Sequence, residues 1–124
     1  MTIICLYLRK MLKILQGEVY LINFSPSFGH EYSKVRPAIV ISSNELLKKS
    51  NLLTCLAVTS KNNNFIEGDV LLKKDAVNNL AFDSVIKMQH LSSFDKRRIH
   101  KYIGVADEAT LREIKQKLKR QFDL

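Results

Sequence analysis

Residues 29–37 concentrate the side chains of this sequence that are best suited to chemistry beside a bound anion. His30 and Glu31 stand next to each other, and a histidine, which ordinarily titrates at about pH 6.5, can carry protons near neutrality. Arg36 follows in the same segment, and its planar guanidinium can donate two parallel hydrogen bonds to phosphate oxygens. The segment therefore indicates proton transfer next to a phosphate group.

Motifs for most cofactor and metal chemistries are absent from the sequence. There is no glycine-rich nucleotide loop, no HExxH, no GxSxG and no pair of spaced metal ligands. The two cysteines, Cys5 and Cys55, have neither the spacing of a zinc site nor the number typical of a secreted disulfide scaffold. We therefore expect no cofactor, no metal and a cytoplasmic location.

The chain is strongly basic, with 20 lysines and arginines against 12 acidic residues and a formal net charge of +8. The excess lies at the two ends: residues 1–16 carry +3 and residues 95–124 carry +4. Such a balance favours a polyanionic partner, and solubility through self-repulsion is the alternative that composition leaves open.

The length of 124 residues and the 46% hydrophobic content predict one globular domain. We place this domain at residues 17–124 and treat residues 1–16 as an N-terminal extension, with Met11 as an alternative start. The longest apolar stretch, residues 2–8, is far shorter than the roughly 20 residues that span a bilayer, so we expect no membrane segment.

Short apolar runs separated by turn residues predict a mainly β or α+β domain. The predicted strands are residues 17–24, 38–41 (opened by Pro37), 52–58, 70–72, 84–89 and 102–105. Helical turns are predicted at residues 43–49 and 92–98. A C-terminal amphipathic helix is expected to begin after Asp107 as N-cap and to bury Leu111, Ile114, Leu118 and Phe122.

Three stretches follow one another in an order typical of one protein family: GEVYLINFSPSFGHEYSKVRPAIVIS, LTCLAVTSK and FDSVIKMQHLSSFDKRRI. They contain a G-x-E-x-x-x-x-R-P turn and a Thr-Ser pair that closes an apolar strand. On these motifs the chain, from Gly17 to its C terminus, resembles the MazF/PemK family of toxin endoribonucleases from bacterial toxin–antitoxin pairs.

The resemblance implies a small SH3-like barrel of about five to seven strands with short helical turns and a C-terminal helix, assembled as a homodimer. It also implies metal-independent cleavage of single-stranded RNA within a short sequence motif, which leaves 2′,3′-cyclic phosphate and 5′-hydroxyl ends and inhibits translation. A cognate antitoxin would neutralise the protein, and DNA would be contacted only through the antitoxin complex.

The same resemblance assigns the family's reactive arginine to Arg36 and its reactive threonine to Thr59, and matches His30 and Glu31 to the GHE of the PemK-type branch. We expect Arg36 to stabilise the phosphorane, Thr59 to hydrogen-bond the scissile phosphate, and His30 or Glu31 to move protons. Further candidate RNA contacts are Tyr32, Lys34, Ser60, Lys61, Lys87 and Gln89.

Three positions depart from the family pattern. Lys87 and Gln89 stand where the PemK-type branch has an arginine and an aspartate, and Ser92 stands where many members have an arginine. These departures favour one alternative, a basic nucleic-acid-binding module or a toxin that has lost activity. The resemblance leaves a second alternative open, a toxin of the same fold that poisons gyrase without catalysis. The Arg-Pro pair together with the Thr-Ser strand end favours the nuclease.

Overall fold

The computed structural model describes residues 13–25, 34–60 and 65–124, which form six β-strands and two α-helices. The strands are β1 (Glu18–Asn23), β2 (Val35–Val40), β3 (Leu52–Thr59), β4 (Val70–Leu72), β5 (Ser84–Asp95) and β6 (Ile99–Val105). The helices are α1 (Asn44–Lys49) and α2 (Glu108–Gln121), and a 3-10 turn, Lys96–Arg98, joins β5 to β6.

The strands form one antiparallel sheet in the order β4-β5-β3-β2-β1-β6. The segment between β4 and β5 reaches the opposite edge of this sheet, where the Val105 N–H donates to the Val77 carbonyl at 3.2 Å. The side chain of Asn79 likewise donates to the Ile103 carbonyl at 3.1 Å. The sheet is thereby curled into a half-barrel, which together with α2 confirms the predicted fold class.

Both faces of the sheet are apolar and buried, so the core has two halves. The first face comprises Tyr20, Ile22, Phe24, Ala38, Val40, Leu53, Cys55, Ala57 and Ile99, covered by Ile14 and Leu47. The second face comprises Val19, Ile39, Leu56, Val58, Val70, Leu72, Ile86 and Met88, covered by Ala106 and Ile114. The apolar run of β2 contributes to both faces, as its continuous pattern predicted.

Pro37 lies inside β2 and does not open it, contrary to the sequence prediction. It is opposite Leu21 of β1, while the pairing of β2 with β3 begins only at Ala38. The Phe24 N–H donates to the Lys34 carbonyl, so the backbone groups of Lys34 point towards β1. Backbone groups of successive residues point alternately to the two neighbouring strands, and the nitrogen of Pro37, three residues later, therefore points towards β3. The missing N–H therefore falls just beyond the last paired residue, where a proline is tolerated.

The β5 strand continues to Asp95, so the prediction of a helical turn from residue 92 was wrong in its first half. Residues 91–95 pair with the first half of β3, from Leu56 opposite Leu91 to Leu52 opposite Asp95. Tertiary pairing overrides the local preference for a turn here. The helical turn begins one step later, where the Asp95 carboxylate accepts the Arg97 N–H at 2.8 Å.

The helix ends follow the predicted capping pattern. The Asp107 carboxylate accepts the Thr110 N–H at 2.7 Å at the start of α2, and Ser43 caps α1 in the same way. Ile114 of α2 is fully buried, whereas Phe122, predicted on the apolar face, follows the helix and is 53% exposed. The apolar face of α2 is therefore shorter than its sequence pattern indicated.

The last residues of the predicted N-terminal extension pack against the domain. Ile14 is buried in the first face of the core, and the Gln16 side chain donates to the Ile41 carbonyl at 2.9 Å. Residues 1–12 of the extension lie outside the described residues. The division into residues 1–16 and 17–124 stays a prediction.

Candidate active site

Arg36 is the second residue of β2 and lies opposite Ile22 of β1. Its side chain is half-buried, and its Nε atom is shielded from solvent. Side chains alternate between the two faces along a strand, so Arg36 lies on the same face as Ala38 and Val40, which is the first face of the core. Arg36 therefore continues that face past its apolar part, which places a fixed positive charge at the edge of the core.

Thr59 is the last residue of β3 and lies opposite Val85 of β5. It is 3% exposed, so its hydroxyl sits in a confined environment, while Ser60 beyond it is exposed. By the same alternation, Thr59 lies on the same face as Cys55 and Ala57, which is again the first face of the core.

The strand register relates Arg36 to Thr59. Ala38 pairs with Ala57, which is the last pair of the β2–β3 ladder, and Arg36 and Thr59 each lie two residues beyond that pair at the same end of the two strands. The two side chains thus occupy corresponding positions on one face of neighbouring strands. A cation and a buried hydroxyl on the same face can both address one phosphate group.

Lys87 belongs to the same face, one step inward, because it lies opposite Ala57. Its ammonium is 2.5 Å from the Asp69 carboxylate, and the two side chains are only 7% and 1% exposed. Asp69 also accepts the Met88 N–H at 3.1 Å and the Ile66 N–H at 3.0 Å. The charge of Lys87 is thus balanced by an internal carboxylate, and its contact with RNA stays a prediction.

Gln89 lies apart from Lys87, although a regular strand would put both on one face. The register of β5 shifts between Lys87, which faces Ala57, and Leu91, which faces Leu56, so residues 88–90 form a bulge. Gln89 is exposed there and lines a pocket of about 500 Å³ against α2, with Glu67, Gly68, Lys117, Arg120 and Gln121. Its predicted RNA contact would therefore be made beside α2.

Lys34 is an exposed residue immediately before β2 and has a positive backbone φ of 65°. Its N–H donates to the Ser25 hydroxyl at 2.8 Å, and its carbonyl accepts the Phe24 N–H at 2.8 Å. The left-handed backbone, which non-glycine residues adopt rarely, lets the chain turn into β2 at this point.

His30, Glu31 and Tyr32 lie in residues 26–33, and Lys61 lies in residues 61–64, both outside the described residues. The ends of the two segments are described: one connects β1 to β2 and the other follows β3. Asn23 pairs with Val35, and Thr59 is the last residue of β3. Both segments therefore leave the sheet at the same end of the strands, which is the end where Arg36 lies.

Two polar residues in this region were not predicted from the sequence. Asp69, the residue before β4, is the carboxylate that neutralises Lys87. Arg98, the last residue of the predicted helical turn 92–98, donates hydrogen bonds to the Asn23 and Ser25 carbonyls at the end of β1. No local pattern marks either contact, because the partners are 18 and more than 70 residues away.

No helix among the described residues is long and apolar enough to cross a membrane.

Comparison with known proteins adds a family match across most of the chain. A family model described as PemK-like, MazF-like toxin of type II toxin-antitoxin system matches residues 15–122. The match begins just before β1 and ends just after α2, so it includes the whole sheet and both helices.

Solved structures of toxins have the same fold. MazF from Deinococcus radiodurans has 27% sequence identity to this chain. Its crystal structure superposes with a TM-score of 0.77, and the match covers 90% of this chain and 97% of the MazF chain. An endoribonuclease in complex with its cognate antitoxin from a mycobacterial species covers 90% of this chain and 96% of its own, at 16% identity and a TM-score of 0.72. A MazE–MazF complex from Deinococcus radiodurans covers the same shares, at 23% identity and a TM-score of 0.68.

Proposed function

Because this chain belongs to the family of PemK-like, MazF-like toxins of type II toxin–antitoxin systems, we propose that it is a sequence-specific endoribonuclease acting on single-stranded RNA. The observation that carries the proposal is that Arg36 and Thr59 lie on one face of the sheet, at the end of the strands where residues 26–33 and 61–64 connect to it. Cleavage in this proposal needs no metal ion and inhibits translation.

The proposed reaction is attack of a ribose 2′-hydroxyl on the adjacent phosphorus, which expels the 5′-oxygen of the next nucleotide. The products are a 2′,3′-cyclic phosphate and a 5′-hydroxyl. Arg36 stabilises the negative charge that develops on the phosphorane, since its guanidinium stays protonated and can bind two phosphate oxygens. Thr59 donates its hydroxyl to the scissile phosphate.

Proton transfer requires one group to take the 2′-hydroxyl proton and one to protonate the leaving oxygen. We assign these steps to His30 and Glu31, because an arginine is a poor base and the family's fifth-strand aspartate is replaced by Gln89. The assignment of each step to one of the two residues is decided by the pH–rate profiles of the single variants.

RNA binding is proposed for the exposed polar residues around this end of the strands. Lys34 and Ser60 flank the two connecting segments, and Tyr32 and Lys61 lie within them. Aromatic side chains stack on unpaired bases and lysines contact phosphates, so this set suits single-stranded RNA. Lys87 is paired with Asp69, so in this proposal it contributes only a weak electrostatic attraction to the RNA. Gln89 extends the RNA-binding surface towards α2.

We further propose that the protein acts as a homodimer and is neutralised by a cognate antitoxin. Two of the structural relatives are toxin complexes with an antitoxin, which supports a partner of this kind. A flexible acidic segment of the antitoxin would bind the basic end of the sheet near Lys34 and Arg36 and compete with RNA. DNA contacts belong to the antitoxin complex.

The test is incubation of the purified protein with a long single-stranded RNA in EDTA, with cut sites mapped by primer extension. We expect discrete cuts by the wild type and at least about a 100-fold loss in Arg36→Ala, because transition-state charge loses its partner. Arg97→Ala, which changes an exposed arginine of the 3-10 turn, is the matched control and should cut normally. Intact RNA with the wild type would leave a toxin that acts by binding alone.

A further inference from the structure

The connection between β1 and β2 is closed by hydrogen bonds at its base. We define this base, residues 23–25 and 34, as the neck. Across it, the Phe24 N–H donates to the Lys34 carbonyl, and the Lys34 N–H donates to the Ser25 hydroxyl, both at 2.8 Å. The neck sets where residues 26–33 leave the sheet and how β2 begins, two residues before Arg36.

Arg98 binds the neck from the 3-10 turn that follows β5. Its Nη1 donates to the Asn23 carbonyl at 3.2 Å and also to the Ser25 carbonyl. Asn23 is the last residue of β1, and Ser25 lies just beyond the end of that strand. One guanidinium nitrogen therefore bridges two carbonyls of the neck, more than 70 residues away in sequence.

An aromatic pair holds Arg98 in this place. Its guanidinium lies over the Phe94 ring, 5.4 Å from the ring centre, and Phe94 packs edge-on against Phe24 with ring centres 4.9 Å apart. Phe24 is itself part of the neck and 6% exposed. The guanidinium is thus fixed on one side by a cation–π contact and on the other by carbonyl oxygens.

We propose that Arg98 is a positioning residue of the RNA-cleaving site: it fixes the neck and so holds the start of β2, with Arg36, in its catalytic position. This inference rests on the proposed function. Arg98 acts in this proposal through its Nη1, which is directed at the neck carbonyls, and not through contact with RNA. Lysine is a poor substitute, since a compact ammonium offers no planar surface to stack on Phe94.

The chain supplies a matched control next to Arg98. Arg97 has the same charge and lies in the same 3-10 turn, but its side chain is 88% exposed and bonds to Asp95, the residue before that turn. Arg98→Met and Arg97→Met therefore remove equal charge from nearly the same place, and only the first removes the contact with the neck.

The first measurement is amide hydrogen exchange, which does not depend on RNA. In Arg98→Met we expect exchange at Phe24 and Lys34 to be at least about tenfold faster, because both amides donate within the neck. Exchange at Ile39 and Leu56, in the paired part of β2 and β3, should not change. Arg97→Met should match the wild type at all four amides, and Arg98→Lys should lie in between.

The second measurement is the rate of RNA cleavage. We expect kcat to fall at least about tenfold in Arg98→Met, with KM changed less than threefold, and Arg98→Lys to recover part of the loss. Unchanged exchange at the neck, or faster exchange with unchanged kcat, would overturn the inference while RNA cleavage by the wild type stands. A wild type that leaves RNA intact would remove the proposed function and this role together.

Discussion

Lys87 of β5 and Asp69, the residue before β4, form an ion pair of 2.5 Å that is almost wholly enclosed in the protein. Val70 pairs with Ile86, so Asp69 stands opposite Lys87 in the continued register of the same two strands. The Lys117 side chain donates to the Asp69 carbonyl at 2.8 Å and links this pair to α2. The pair therefore joins the edge strand β4, its neighbour β5 and the C-terminal helix.

Removing the charge of Lys87 should destabilise the fold. Lys87→Met leaves the buried Asp69 carboxylate without its cation, and we expect the free energy of unfolding to fall by about 3 kcal/mol. Denaturant unfolding measures this change. The control is Lys49→Met, which breaks an exposed pair with Glu45 and should cost at most about 0.5 kcal/mol. Equal effects of the two variants would contradict a structural role for the buried pair.

The Thr59 hydroxyl is expected to matter for cleavage more than for folding. Thr59→Val keeps the shape of a side chain that is 3% exposed but removes the donor to the phosphate, so the single-turnover cleavage rate should fall by about 100-fold. Thr59→Ser keeps the hydroxyl and should stay within about tenfold of the wild type. A Thr59→Val protein that melts like the wild type and cuts at the wild-type rate would exclude Thr59 from the reaction.

The cap of α2 should contribute a pH-dependent part of the stability. Hydrogen bonds from the side chain and the backbone N–H of Thr110 lower the pKa of Asp107 in the native state. Its contribution is therefore complete above the unfolded value of about 3.9 and is lost as the pH falls through the lowered native pKa.

We accordingly expect Asp107→Ala to cost about 1 kcal/mol of unfolding free energy at neutral pH and progressively less under acid conditions. Asp107→Asn keeps a side-chain oxygen that can accept the Thr110 N–H, so it should be closer to the wild type at neutral pH. Unfolding curves measured between neutral and acid pH test both variants. A constant gap between wild type and Asp107→Ala at every pH would contradict the assignment.

The Cys55 thiol should be unreactive in the folded protein. It is fully buried in the first face of the core, and burial raises its pKa to about 12. Thiolate is the reactive form, so iodoacetamide at about pH 8 should leave the Cys55 peptide unmodified until the protein is unfolded. Peptide mass mapping before and after addition of guanidinium chloride reads this directly. Modification of that peptide in the native protein at the unfolded rate would contradict it.

The sequence predicted most elements of the fold because apolar patterning and caps act locally. The cap at Asp107 and the doubly buried β2 are both confirmed. The errors arose where distant residues decide the structure. β5 continues through Ser92 because it pairs with β3, and Pro37 is tolerated within β2 because the β3 ladder stops at Ala38.

The candidate site was predictable in part. Arg36 and Thr59 stand out through their motifs, and the register relates them as corresponding positions on one face. A regular strand would also have grouped Lys87 with Gln89, but the bulge in β5 separates them. The pairing of Lys87 with Asp69 and of Arg98 with the neck depends on contacts far apart in the chain, which no local pattern encodes.

Cleavage through the ribose 2′-hydroxyl is tested with one RNA oligonucleotide that contains a mapped cut site, and with a second that has a single 2′-deoxynucleotide on the 5′ side of that cut. In EDTA the wild-type protein should cut the all-ribose strand to a 2′,3′-cyclic phosphate and a 5′-hydroxyl, identified by mass. It should leave the substituted strand intact, because the attacking hydroxyl is missing. Cutting of the 2′-deoxy strand at the same position, or an intact all-ribose strand, would contradict RNA cleavage through the 2′-hydroxyl.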